Sequence, residues 1–148
     1  MQNTDSHGFL VENLQEFNKE HSPSVPLGFP RDRLPTELCK HALTEMMLCL
    51  VNNQQNLCGY QNKMYYICKK ERDAILFSRI QSWEVNDVFK NIKETEKKSE
   101  YIETLEKERL GLASRFEKTP QSLGNKHRRW RMAADLEQLK WRIGYLKE

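Results

Sequence analysis

Apolar residues recur at helical spacing along nearly the whole chain, and strict apolar–polar alternation is scarce. Phe9, Leu10, Leu14 and Phe17 fall near one face, which predicts a short amphipathic helix within residues 1–22. SPSVPLGFP (22–30) ends it, because its prolines cannot continue a helix and hold their neighbours extended. The resulting arm lies across a partner or across its own hairpin. A helix is expected to start around Leu34–Pro35–Thr36–Glu37, with Cys39, Leu43, Met46, Met47 and Leu50 as its apolar stripe. The polar VNNQQN (51–56) predicts a reversal, and a second helix carries Cys58, Met64, Tyr65, Ile67 and Cys68. That helix can run through Ile75, Leu76 and Phe77 towards Trp83, since residues 60–110 contain no proline.

From Val85 to Lys118 the apolar positions thin to Val88, Ile92, Ile102, Leu105, Leu112 and Phe116 among many Glu and Lys, with Thr95 and Ser99 interrupting. This predicts a long surface helix or a helix pair. TPQSLGN (119–125) is the next break. Beyond it Met132, Leu136, Leu139, Ile143 and Leu146 repeat at 4-3-4-3 spacing, a seam too short for a coiled coil and suited to packing on a neighbouring helix. The chain therefore divides into an arm (1–33), a hairpin (34–80), a charged helical extension (81–118) and a basic amphipathic helix (119–148), all α.

Charge sharpens this division. Residues 1–30 hold one lysine against four carboxylates, whereas residues 118–148 hold eight Lys or Arg against three. A basic end points to an acidic partner, RNA or anionic lipid headgroups, or else to a solvated face. No apolar run is long enough for a membrane span, and the first thirty residues lack the features of a secretory signal or of an Arg-rich transit peptide.

Four cysteines constrain the hairpin: Cys39, Cys49, Cys58 and Cys68, two Cys-x9-Cys units separated by LVNNQQNL. Ten helical residues rise about 15 Å, so neither unit can bridge internally. Two pairings survive. Cys39–Cys58 with Cys49–Cys68 needs parallel helices and a linker that climbs a full helix length. Cys39–Cys68 with Cys49–Cys58 needs only an antiparallel hairpin and is favoured. Closely spaced cysteine pairs of the zinc type and Cys-x-x-Cys are both absent, and His41 would project away from Cys39 on a helix. These observations favour structural cysteines and an oxidising compartment.

Twin Cys-x9-Cys units on a helical hairpin resemble the coiled-coil-helix-coiled-coil-helix (CHCH) family of the mitochondrial intermembrane space, over about residues 34–80. The resemblance implies the same outer and inner bridges and import without a cleaved presequence through a disulfide relay. Cys68, preceded by Met64 and Tyr65, would be the cysteine that the relay engages. Copper-handling members carry additional cysteines and the import oxidoreductase a Cys-Pro-Cys, neither of which occurs here.

The expectation is thus a non-catalytic accessory subunit of an inner-membrane respiratory complex, complex I foremost, peripheral on the intermembrane-space side and without cofactor or metal. Trp83, Trp130 and Trp141, with Phe89 and Phe116, are candidate anchors on neighbouring subunits. Arg128, Arg129, Trp130 and Arg131, within KHRRWR (126–131), are candidates for protein, anionic lipid or RNA. Alternative readings are a mitoribosome-associated protein that contacts RNA and an assembly factor. No Gly-rich phosphate loop, metal-ligand cluster or nucleophile–base set supports an enzyme.

Overall fold

The computed structural model describes residues 21–52 and 58–148, and the described residues form an all-α fold without strands. The helix expected within residues 1–22 and most of the predicted reversal lie outside the described residues. Among the described residues four α-helices carry the fold: α1 (Lys40–Asn52), α2 (Gly59–Ser82), α3 (Thr95–Lys118) and α4 (Lys126–Lys147). A π-helical turn, Trp83–Phe89, extends α2 without a break, and Lys90 N–H donates to the Val85 carbonyl five residues back.

The first helix starts later than expected. Residues 34–38 form tight turns in which Thr36 N–H reaches the Leu34 carbonyl and Leu38 N–H that of Pro35. Cys39 then adopts a left-handed backbone (φ 69°), and its carbonyl accepts the first helical bond from Leu43. A side chain in that region costs roughly 1–2 kcal/mol, which the surrounding structure must offset. Cys39 therefore caps α1 rather than lying inside it.

Both bridges follow the antiparallel pairing, Cys39–Cys68 (Cα–Cα 5.7 Å) and Cys49–Cys58 (6.0 Å). In the chain-entropy view, closing loops with sequence separations of 29 and 9 stabilises the fold by about 3.5 and 2.5 kcal/mol when each bridge is taken alone. The hairpin needs these staples, because α1 buries none of its residues.

The apolar core lies elsewhere. Leu105 and Leu112 of α3 pack against Leu139, Ile143 and Leu146 of α4, with Met132 and Leu136 at the margin. The 4-3-4-3 seam thus packs on a neighbouring helix. Thr95 opens α3 rather than interrupting a longer helix, because the chain leaves helical geometry between Lys90 and Glu94. Ser99 lies inside α3 without breaking it.

A second cluster joins the arm to α2 through Phe29, Leu76, Ile80 and Trp83. Phe29 meets Trp83 edge to face at 5.4 Å. Residues 26–29 close a turn, with Phe29 N–H donating to the Pro26 carbonyl and Gly28 at φ 90°, a conformation suited to glycine. Upstream, the arm is bonded to α2 and α4. Ser22 Oγ donates to Asp73 (3.0 Å), Ser24 Oγ to Asp135 (2.7 Å), and Arg131 to the Ser22 carbonyl (2.9 Å). The Gln138 amide pairs with Ser24 in both directions, accepting from its N–H and donating to its carbonyl, each at 2.7 Å. Residues 22–30 form a strap that lies on the chain's own helices.

Candidate interaction site

The stapled hairpin presents its apolar stripe outward. Leu43, Met47 and Leu50 succeed one another at 4-3 spacing and share one flank of α1. Met47 and Leu50 are each 52% exposed, and Leu48 and Val51 add further apolar surface to the same helix. On α2, Tyr60, Met64 and Ile67 form a second exposed row at 4-3 spacing. Large apolar groups are thus concentrated on α1 and the first half of α2, which makes this face the candidate interaction surface. The disulfides make such exposure possible, since covalent links hold α1 where a core would otherwise be required. The periodicity of α1 was legible in the sequence. Its direction was not, because helical spacing says that a face exists but not what faces it.

The candidate anchors separate into two kinds. Trp83 is buried against Phe29, and Phe89 packs beside Tyr101 against the α3–α4 core. Phe116 lies under the Arg129 guanidinium, 4.2 Å from its ring centroid. Trp141 differs, being 59% exposed. Its indole N–H donates to Glu137 (3.1 Å), and its ring meets Phe77 edge to face at 6.1 Å. Beside it a cleft of about 420 Å³ opens between α2 and α4, lined by Tyr66, Phe77, Ala134 and Gln138 among others. His21 stands at this cleft with a buried Nε2 that has no hydrogen-bond partner. Burial first, then the Arg131 and Lys69 charges, lower its pKa below the ordinary imidazole value.

KHRRWR is not one patch. Arg129 donates to the Phe116 (2.9 Å) and Thr119 carbonyls, where the helix dipole at the end of α3 favours a cation. Arg131 is directed at the strap and at Asp135 (3.4 Å). Trp130 carries Lys126 over its ring at 4.7 Å and meets His127 at 5.6 Å. Arg128 is exposed. Two of the three arginines are thus engaged in holding the fold together.

A buried carboxylate escaped the sequence reading. Glu84, in the π-helical turn, is fully buried. Arg142 of α4 binds it through Nε at 3.0 and 3.2 Å and through Nη2, while Tyr101 of α3 (2.7 Å) and Tyr145 of α4 donate their hydroxyls. Burial alone would raise the Glu84 pKa. The bonds from Arg142 and Tyr145, the Arg142 charge and the Tyr101 bond outweigh that, and its pKa lies below the ordinary carboxylate value. Burial and then the bond to Glu84 push Tyr101 up to about 12 and raise Tyr145 as well. Both carboxylate oxygens are satisfied within the fold, so the cluster ties α2, α3 and α4 together. Only the helical spacing of Glu84, Arg142 and Tyr145 relative to apolar neighbours was available in the sequence, and that pattern does not distinguish a buried carboxylate from a solvated one.

Among the described residues, no group of three or more His, Cys, Asp or Glu is placed to hold a metal ion, and no helix is long and apolar enough to cross a membrane. The family model described as a domain of unknown function (DUF7803) matches residues 16–148. The chain belongs to that family. The matched region takes in strap, hairpin and helix pair together. Comparison with curated proteins and with solved structures returns no match. Within this family member, the two bridges and helical pairing fit a twin Cys-x9-Cys hairpin of the CHCH kind.

Proposed function

We propose that the protein is a non-catalytic structural subunit of a mitochondrial inner-membrane respiratory assembly, complex I foremost, that docks on neighbouring subunits from the intermembrane-space side. The observation that carries this reading is the outward apolar face of α1 on a disulfide-stapled hairpin. A helix that buries nothing of its own, yet is held rigid by covalent links, suits burial against another protein. Two bridges point to an oxidising compartment, and the twin spacing is similar to that of intermembrane-space proteins. Cys39–Lys40–His41, with a second helix that continues into a charged C-terminal region, also resembles the beta-subcomplex subunit seven of complex I. Here the inter-unit linker is shorter, and the acidic N-terminal arm and the 4-3-4-3 tail depart from that resemblance.

The RNA reading draws less support, because Arg129 and Arg131 are directed at the chain's own carbonyls and carboxylate. The test is native-gel fractionation of mitochondria expressing the wild-type chain or a Met47→Asp/Leu50→Asp variant. Wild-type protein should co-migrate with complex I, and the variant should run free with both bridges intact. Co-migration with the ribosome, or migration of the wild-type chain alone, would reject the subunit reading in favour of the RNA-contacting or assembly-factor alternative.

A further inference from the structure

The connection between α3 and α4 holds one large apolar side chain out in water within a basic surface. Leu123, in the single helical turn Leu123–Asn125, is 91% exposed. The connection is fixed by its own bonds. Ser122 N–H donates to the Pro120 carbonyl (3.0 Å), and Asn125 Nδ2 donates to the same carbonyl (3.2 Å) and to Ser122 Oγ (3.1 Å). Asn125 therefore turns its side chain back into the connection instead of capping α4, and the positive end of the α4 dipole is directed at the same tip. Residues 115–131 hold six Lys or Arg against Glu117 alone. Arg129 and Arg131 serve the fold, whereas Lys118 and Arg128 are exposed. Lys118 ends α3, and Lys126, His127 and Arg128 splay around the first turn of α4, so cations ring the tip of the helix pair. Beside Leu123 a cleft of about 420 Å³ is lined by Phe116, Trp130 and Ala133 among others.

We propose that this tip is a peripheral membrane contact: Leu123 enters the apolar boundary of an anionic bilayer while Lys118, Lys126 and Arg128 meet the headgroup phosphates. An apolar side chain ringed by cations suits a surface that is anionic outside and apolar just beneath. Trp130, with an apolar ring and a polar N–H, is of the type that settles at the headgroup level. RNA offers the same negative charge but no apolar layer for Leu123. One face of the Trp130 ring is moreover covered by Lys126, 4.7 Å from its centroid, which removes it as a platform for base stacking. The contact uses no residue of α1 and does not rest on the function proposed above.

Flotation of the full chain with phosphatidylcholine vesicles, with and without phosphatidylglycerol, tests the proposal. The protein should float with the anionic vesicles and not with the neutral ones, and should dissociate as salt is raised. Leu123→Asp should weaken binding at least ~10-fold, through the lost insertion and the added like charge. Lys118→Ala/Arg128→Ala should weaken it about 25-fold, roughly fivefold for each cation removed. These side chains are exposed, so both variants should unfold thermally as wild type does. The Met47→Asp/Leu50→Asp variant should float like wild type, which separates this contact from docking through α1. Failure to float with anionic vesicles would overturn the proposal, as would flotation that Leu123→Asp leaves unchanged. A single-stranded RNA oligonucleotide whose binding is lost in Lys118→Ala/Arg128→Ala and kept in Leu123→Asp would overturn it too, by giving the tip to nucleic acid.

Discussion

Glu84 joins three helices through one buried carboxylate. Removing one partner of a buried ion pair costs about 3–5 kcal/mol, so Glu84→Gln should lower stability by that order in chemical denaturation. Replacing Glu84 and Arg142 together by methionine should cost less than the sum of the single changes, because no uncompensated charge remains. A double-mutant cycle that returns simple additivity would show the pair to be uncoupled. Protonation acts in the same direction. The folded-state pKa of Glu84 lies below its ordinary value of 4.5, so the unfolded chain binds more protons as pH falls below that value. The stabilisation is therefore complete above about pH 4.5 and is lost as pH falls through the folded-state value. An acid titration followed by circular dichroism should be flatter for Glu84→Gln than for wild type.

The tyrosines give the alkaline counterpart. Tyr101 is raised from 10.0 to about 12, so its contribution is complete below pH 10 and declines as pH rises towards 12. Absorbance at 295 nm should show Tyr101 and Tyr145 ionising above the ordinary tyrosine range. Tyr101→Phe should remove one late step and leave the early portion of the curve unchanged. Cysteine chemistry belongs to this scale too. Cys49→Ser opens the shorter loop and should cost about 2.5 kcal/mol, with the loss confined to the hairpin. Non-reducing peptide mapping of the variant should still recover the Cys39–Cys68 link. A scrambled Cys39–Cys58 link there would mean that the inner bridge dictates the register.

At the scale of elements, helix identity and order were legible. The hairpin, the extension of α2 and the seam of α4 all follow from apolar periodicity and from cysteine spacing, which left one pairing favoured. Boundaries were less accessible. The start of α1 is set by Cys39 in a left-handed conformation, and a cysteine in the sequence does not announce that. Nor does any proline or glycine mark the break between Lys90 and Glu94. It follows the π-helical turn, in which Trp83 faces the strap while Glu84 faces α3 and α4. The strap is an element in its own right, and Phe29 is its apolar contact with α2. Phe29→Ala should cost about 3 kcal/mol through lost burial and the cavity left beside Trp83. Thermal denaturation checks this, and an unchanged transition would mean that the strap is held by its polar bonds to Asp73, Asp135 and Gln138 alone.

The whole molecule combines two ways of holding helices together. Around α3 and α4, leucine and isoleucine are withdrawn from water, and the basic residues of KHRRWR close the end of one helix and bind the strap. Around α1, covalent bridges supply the constraint and the leucines and methionines remain outside. This division separates what each source of information could provide. The sequence by itself determined the helices and the hairpin, and it narrowed the disulfide pairing to two, because helical rise and bridge length are local geometry. The tertiary structure decided which apolar residues form the core and which face outward. It also decided that Arg129 and Arg131 are structural and that Glu84 is buried. Those outcomes depend on which helix lies against which, and periodicity along one helix does not carry that information.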